Sequence, residues 1–289
     1  MWSTKSVDTL TPVLMATITY EVDVPPSEAH PPPIMIMHGL LGSKMNWNNV
    51  GRGLHSTTKP QRKVVVFDIR NHGDSPHAND HSYHHLTADI NYYMNIKKIK
   101  KATFMGHSMG GRSVMFYSLL HPERVEKIII LDVSPINHPK ENEFDQIESL
   151  LNILLAVDIP KNTSMTKVRK EVDKQLAKHA KESYLRQFLM TNLTEKEDGS
   201  IGWRVNLPVL IKNFSQNIRK FPNISGMQFN GPGLLLSGEK SNFLRSSDPE
   251  NIKKIFPKMQ FAEIKGAGHW LHAEKPKDVI MHCSKFLNS

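Results

Sequence analysis

Residues 101–120 read KATFMGHSMGGRSVMFYSLL. The run KATFMGH suits a buried strand, and GGRSVMFYSLL follows it without a linker, its apolar positions recurring at helical spacing. Strand and helix must therefore meet in a sharp turn, in which Gly106, Ser108 and Gly110 form the pattern G-x-S-x-G. Such a turn holds its central residue in a sparsely populated backbone conformation, and the flanking glycines let strand and helix approach closely while the Ser108 hydroxyl stays exposed. The pentapeptide alone also arises by chance, and its strand-turn-helix setting is what makes it specific. Ser108 is the candidate nucleophile.

A serine hydroxyl has a very high pKa and needs a neighbouring base. MQFAEIKGAGHW, residues 259–270, places His269 in a glycine-flanked loop directly after the last strand-like run. Most of the fifteen histidines are ordinary surface or core residues, but His269 completes the chain order serine, acid, histidine. Two acids can stand between them. Asp132 ends the run KIIILDV, and Glu239 ends the next, LLLSGE. The second position is the commoner one for an acid in such an arrangement, but it is usually an aspartate in a G-x-x-D turn, which this chain lacks. Asp132 is therefore the preferred orienting acid and Glu239 the alternative.

HGLLGSKMNW, residues 38–47, follows the run IMIM and presents backbone N–H groups in a loop. The amides of Leu40 and Met109 are the candidate oxyanion hole. DIRNHGDSPH, residues 68–77, together with His81, His84 and His85, invites a metal reading, but the spacing fits no common ligand array. The expectation is no metal and no cofactor, and a tight loop whose arginine and aspartates pair to brace the floor of the site. Trp47, Trp203 and Trp270 are candidates to line an acyl pocket, with core packing the commoner role for each.

Outward from the elbow, short β-branched runs alternate with helical segments: MATITYEV, IMIMHG, KVVVFDI, KATFMGH, KIIILDV, GLLLSG and MQFAEIKG. Several are apolar on both faces, as strands buried between two helical layers must be. The fold class is α/β, a mostly parallel central sheet flanked by helices. Ser43 and Asp248 are expected as helix N-caps, the latter ahead of Pro249. Between about Pro135 and Pro232 no strand run is found, and FDQIESLLNILLAV, MTKVRKEVDKQLAKH and SYLRQFLMTNL have helical period. This predicts a helical cap over residues 135–231, inserted between core segments 1–134 and 232–289.

Composition sets the remaining bounds. With 289 residues, 39% of them hydrophobic and 22% charged, the chain is an ordinary globular protein rather than a disordered or disulfide-stapled one. The single Cys283 sits in an amphipathic segment and reads as a buried thiol in a reducing compartment. Asn162, Asn192, Asn213 and Asn223 begin N-x-S/T sequons, but MWSTKSVDTL lacks a signal peptide's apolar run, so the sequons are read as chance. No run is long enough to span a bilayer, leaving at most peripheral membrane contact. The net charge of +9 is spread along the chain without an aromatic-interleaved patch, so nucleic acid is not an expected partner. The expected partner is a small-molecule or lipid ester.

Taken together, HGLLGSKMNW, DIRNHGDSPH, GHSMGGRSVM, LDVSP, MTNL, WRVNL and GAGHWLHAEKP resemble the α/β hydrolases of the alpha/beta-hydrolase domain-containing protein 11 family and their bacterial esterase relatives. The resemblance runs from HGLLGSK to the C-terminus. It implies the α/β-hydrolase fold and serine-dependent hydrolysis of esters, with lipid substrates such as diacylglycerol. It also implies Ser108 as nucleophile, His269 as base and Asp132 as acid, and a mitochondrial location for some members. The N-terminus carries no arginine, unlike a transit peptide, so a cytoplasmic location is the alternative. A further acid placed by the family just after WRVNL meets Pro208 here. The rival readings are an acyl thioesterase and, in another class, a non-catalytic small-ligand-binding protein built on the same scaffold.

Overall fold

The computed structural model describes residues 10–22, 30–138 and 142–289. The expectations concerning signal and transit peptides rest on the N-terminal segment, of which residues 1–9 lie outside the described residues.

All seven strand runs form strands of one sheet: β1 (Thr17–Tyr20), β2 (Ile34–Met37), β3 (Val64–Phe67), β4 (Ala102–His107), β5 (Val125–Leu131), β8 (Gly233–Gly238) and β9 (Met259–Ile264). Their spatial order is β1-β3-β2-β4-β5-β8-β9. Only β1 runs antiparallel, pairing Thr17 with Phe67, and every other pairing is parallel. β-Branched and long apolar side chains fill β2, β3 and β4, all of whose residues are buried, so these strands must be covered on both faces.

The period-2 alternation of strand side chains divides the core into two clusters. Met35, Met37, Val65, Phe67, Phe104, Ile128, Ile130 and Leu235 enter one cluster, with α2 (Tyr83–Ile96) and α3 (Met109–Leu120) packed over them. Ile34, Ile36, Val64, Val66, Met105, Ile129, Leu131 and Leu236 enter the other, covered by α1 (Asn48–Thr57) and the C-terminal α9 (Pro276–Leu287). Each fully buried aliphatic side chain contributes about 1.5–3 kcal/mol relative to exposure. Cys283 lies in the second cluster, where burial pushes its thiol pKa up.

Of the two helix starts named from the sequence, Ser43 is an N-cap as expected and Asp248 is not. Ser43 precedes a single 3-10 turn, Lys44–Trp47, before α1 begins, and its N–H donates to Asn46 Oδ1 at 2.7 Å. Asp248 is itself the first residue of α8 (Asp248–Ile255) and follows Ser247 as N-cap. Its buried carboxylate accepts from Arg245 N–H at 3.1 Å and contacts His138 Nε2 at 2.8 Å, so it closes the preceding loop rather than capping the helix.

Between β5 and β8 the chain leaves the sheet. This span holds α4 (Asn142–Ala156), α5 (Met165–Leu176), α6 (Ser183–Met190) and α7 (Leu207–Asn213), the last continuing into a π-helical turn at Phe214–Ile218. It also holds two strands where none was expected, β6 (Leu193–Glu195) and β7 (Ile201–Trp203), paired antiparallel around a turn with Gly199 at φ 76. Three residues each, LTE and IGW, are too short to show alternation. Leu151, Leu154, Val168, Val172, Leu176, Leu189, Leu210 and Phe214 bury their side chains in the first core cluster. These helices therefore share the hydrophobic interior of the sheet.

Parallel registry aligns the carboxyl ends of the strands: Met37 lies opposite Phe67 and Gly106, and Leu131 opposite His107 and Leu236. The segments that leave this edge are HGLLG after β2, DIRNHGDSPH after β3, Ser108 after β4, Asp132 after β5, Glu239 after β8 and the His269 loop after β9. The carboxyl edge of an open parallel sheet is where ligands meet such folds.

Candidate active site

Ser108 stands between β4 and α3 with φ 51 and ψ −121, outside the regions open to an ordinary L-residue. The glycines permit the turn by close approach. A Cβ on Gly106 would lie 2.4 Å from the Gly110 carbonyl oxygen, and one on Gly110 would lie 2.4 Å from the carbonyl oxygens of Met37 and His38. Ser108 is held by its own backbone, its N–H donating to Leu131 O at 3.1 Å and its carbonyl accepting from Arg112 N–H at 2.9 Å.

Asp132 also has positive φ, 53, and is fully buried. Three donors converge on its carboxylate. Oδ1 accepts from Gly238 N–H at 3.0 Å, while Oδ2 accepts from His269 Nδ1 at 2.7 Å and from the Ser241 hydroxyl. With Nδ1 as donor, His269 Nε2 carries the free lone pair that a general base needs. Ser108 and His269 are brought together through their neighbours. His107, the residue before Ser108, donates from Nε2 to the His269 carbonyl at 2.8 Å, and the two rings lie 4.5 Å apart. Phe243 stacks on the His269 ring, with centroids 3.7 Å apart and planes 15° from parallel.

Glu239 is not at this junction. Its carboxylate accepts from Gly266 N–H at 2.7 Å and ties the end of β8 to the turn after β9, in solvent.

The HGLLG loop lies against the elbow, since a Cβ on Gly39 would be 3.2 Å from Ser108 Cβ. Among the described hydrogen bonds, neither the Leu40 nor the Met109 amide donates, whereas Leu41 N–H is taken by His72 Nε2 at 3.1 Å. Of the two residues named from the sequence, Met109 directly follows Ser108 and Leu40 directly follows Gly39.

The DIRNHGDSPH loop is braced differently from the sequence expectation. Arg70 pairs with Asp89 of α2, through Nε and Nη2 at 2.6 Å each, and not with an aspartate of its own loop. Asp68 and Asp74 instead hold the buried Lys44, with Lys44 N–H also donating to Asp68 Oδ1 at 2.7 Å. The reason is reach: Lys44 follows the HGLLG loop and comes down over Asp68, while Arg70 points into the protein beneath α2. Among the described residues, no group of three or more His, Cys, Asp or Glu side chains is arranged to hold a metal ion.

Five other histidines crowd the site, and burial pushes the pKa of each down: His38, His72, His81, His107 and His272, with His72 and His272 reaching about 3. They are therefore neutral donors and acceptors. His38, for example, pairs its Nδ1 with Gly39 O at 2.7 Å and accepts Ile69 N–H on Nε2 at 3.0 Å.

Of the three tryptophans named as pocket candidates, Trp270 reaches the site, 5.4 Å from the His269 ring and beside Tyr184 and Phe188. Trp47 is buried in the second core cluster, stacked on His272 at 4.3 Å, and Trp203 donates to Leu154 O at 2.9 Å. Sequence reasoning passed over Ser241, Phe243, His107 and Asn192. A polar residue three positions past the end of β8 was a faint signal for Ser241, while nothing in the pattern marked Phe243.

The profile described as alpha/beta hydrolase fold matches residues 32–276. The sn-1-specific diacylglycerol lipase ABHD11 of Mus musculus is 36% identical over 89% of this chain and 81% of its own. Esterase YbfF of Escherichia coli strain K12 is 30% identical, with coverages of 89% and 93%. Among solved structures, a marine microorganism esterase is 32% identical, covers 95% of this chain and 99% of its own, and superposes with a TM-score of 0.83.

Proposed function

Since the chain belongs to the alpha/beta hydrolase fold family and is a carboxylic ester hydrolase, we propose that Ser108, His269 and Asp132 form its catalytic triad and that its substrates are lipid acyl esters of the diacylglycerol type. The observation that carries the triad is the 2.7 Å contact of His269 Nδ1 with the buried Asp132, beside a serine in a strained elbow. The lipid assignment is supported by the relatives named as diacylglycerol lipases, which the chain matches over most of its length.

In this reading His269 Nε2 takes the Ser108 hydroxyl proton as Oγ attacks the ester carbonyl. The C=O electron pair moves to oxygen, and the oxyanion is held by the amides of Leu40 and Met109. Collapse of the tetrahedral intermediate breaks the bond to the alcohol, which leaves with the proton from His269. Water, deprotonated by the same imidazole, then releases the acid and regenerates Ser108. Asp132 keeps the imidazole in the productive tautomer and stabilises the imidazolium. No cofactor enters. Residues 135–231 act as a cap that walls the acyl site, with Tyr184 and Phe188 set beside Trp270 at its edge.

The test is labelling by a fluorophosphonate probe together with turnover of a p-nitrophenyl ester series. Both are expected to disappear in Ser108→Ala. Loss of neither would reject Ser108 as the nucleophile, and a diacylglycerol left intact by an enzyme that turns over short esters would reject the lipid assignment alone.

A further inference from the structure

Leu41 has φ 61, a conformation rare for a leucine, and so must be held by its surroundings. Both polar groups of the residue are engaged, and by different parts of the protein. Its N–H donates to His72 Nε2 at 3.1 Å, and its carbonyl accepts from Asn192 Nδ2 at 2.8 Å. His72 is fully buried, and its Nδ1 pairs with Arg70 O at 3.0 Å, which fixes Nε2 as an acceptor. Asn192 is 3% exposed and belongs to the insert, between α6 and β6. Its side chain spans from Leu41 O to Leu189 O, while its backbone carbonyl takes Arg204 N–H at 2.7 Å.

The Leu40 amide lies one peptide upstream of this clamp. With the N–H of Leu41 fixed by His72 and its carbonyl fixed by Asn192, both peptides that flank Leu41 are held. The freedom left to the Leu40 N–H is narrowed with them. Other bonds tie the same segment of the insert to the same end of the sheet: Asn206 N–H to Asn71 O at 3.0 Å, Asn206 Nδ2 to Asn71 Oδ1 at 3.1 Å, and His77 Nε2 to Arg204 O at 2.9 Å. Asn192 alone reaches the HGLLG loop itself with its side chain among these.

We propose that Asn192 is a positioning residue for the oxyanion hole, a side chain by which the insert sets the loop that stabilises the transition state. The proposal rests on the reading of Ser108 as nucleophile and Leu40 as oxyanion donor. It makes rate, more than substrate binding, the quantity that the insert controls at this point. Loss of one oxyanion donor outright lowers kcat by about 100- to 1000-fold, so a donor kept but loosened should cost about 10- to 100-fold.

The experiment compares Asn192→Ala and Asn192→Ser with wild type and Ser108→Ala. Serine is too short to reach Leu41 O but leaves a polar group in the buried site, and neither change touches the backbone pairing with Arg204. Active sites are counted with the fluorophosphonate, kcat and KM are measured per active site on p-nitrophenyl butyrate, and the inhibition constant of phenylboronic acid is determined. The tetrahedral boronate places an oxygen where the oxyanion forms. The expected result is kcat lower by about 10- to 100-fold, KM within about twofold, and boronate affinity weakened by the same factor as kcat. Unchanged kcat and boronate affinity in either folded variant would overturn the inference while leaving the hydrolase reading intact. So would a loss of rate matched by a loss of titratable sites. Turnover surviving in Ser108→Ala would strike the underlying reading instead.

Discussion

At the scale of single residues, two carboxylates that were rivals in the sequence have different surroundings in the fold. Asp132 receives three donors, one of them His269, the proposed base, whereas Glu239 receives one backbone N–H at the surface. Asp132→Asn keeps the shape of the site but presents His269 with the wrong hydrogen-bond partner, and kcat is expected to fall by about 1000- to 10000-fold with KM little changed. Glu239→Gln should leave kcat within about twofold and cost less than about 1 kcal/mol of stability. Steady-state kinetics on one p-nitrophenyl ester decides between them, and the reverse ranking would transfer the acid role to Glu239. The proximity of Asp132 to the Ser108 turn was legible in the sequence, because a strand end after the Ser108 helix and a missing G-x-x-D turn are both visible in one dimension. The Phe243 face over His269 was not legible, since it depends on how the loop after β8 folds back.

At the scale of elements, the elbow is a contact between backbones, and its glycines are required for that reason. Gly110→Ala would put a methyl carbon 2.4 Å from two carbonyl oxygens of the β2 end, with no flexible side chain able to yield. A loss of about 3 kcal/mol or outright failure to fold is expected, read as a shift of the urea midpoint. A midpoint within experimental error of wild type would show that α3 can slide away from β2. Strands of the sheet were legible because each is a run of β-branched and apolar residues too dense to belong elsewhere. The β6–β7 hairpin was not, as six residues joined by a turn carry no periodicity. The pairing of Arg70 with Asp89 was equally hidden, because the partners lie nineteen residues apart on separate elements and a nearer aspartate stood in the same motif.

At the scale of the whole molecule, the buried histidines make stability depend on pH. Unfolded, each titrates near 6.5, while folded His72 and His272 remain neutral down to about pH 3. Below 6.5 the unfolded chain therefore binds more protons than the folded one, and stability falls as pH falls. Each such group contributes about 1.4 kcal/mol per pH unit until its folded pKa is reached. His38, His81 and His107 act in the same direction. The urea midpoint should drop markedly between pH 7 and pH 5, and the slope should flatten in His272→Phe, which keeps an aromatic ring against Trp47. Equal midpoints at the two pH values would show that these rings are protonated inside the fold.

The insert leaves the sheet at the end of β5 and returns at the start of β8, and these two strands are direct neighbours, with Ile128 opposite Gly233. Its two ends are thus attached to adjacent strands that pair directly with each other. The closing entropy of a longer or shorter excursion changes only slowly with its length. A stretch of another length can therefore be carried here as an exchangeable tool-head, with the strands on either side left in place. A substitute must again offer an amide to Leu41 and apolar side chains to the first core cluster.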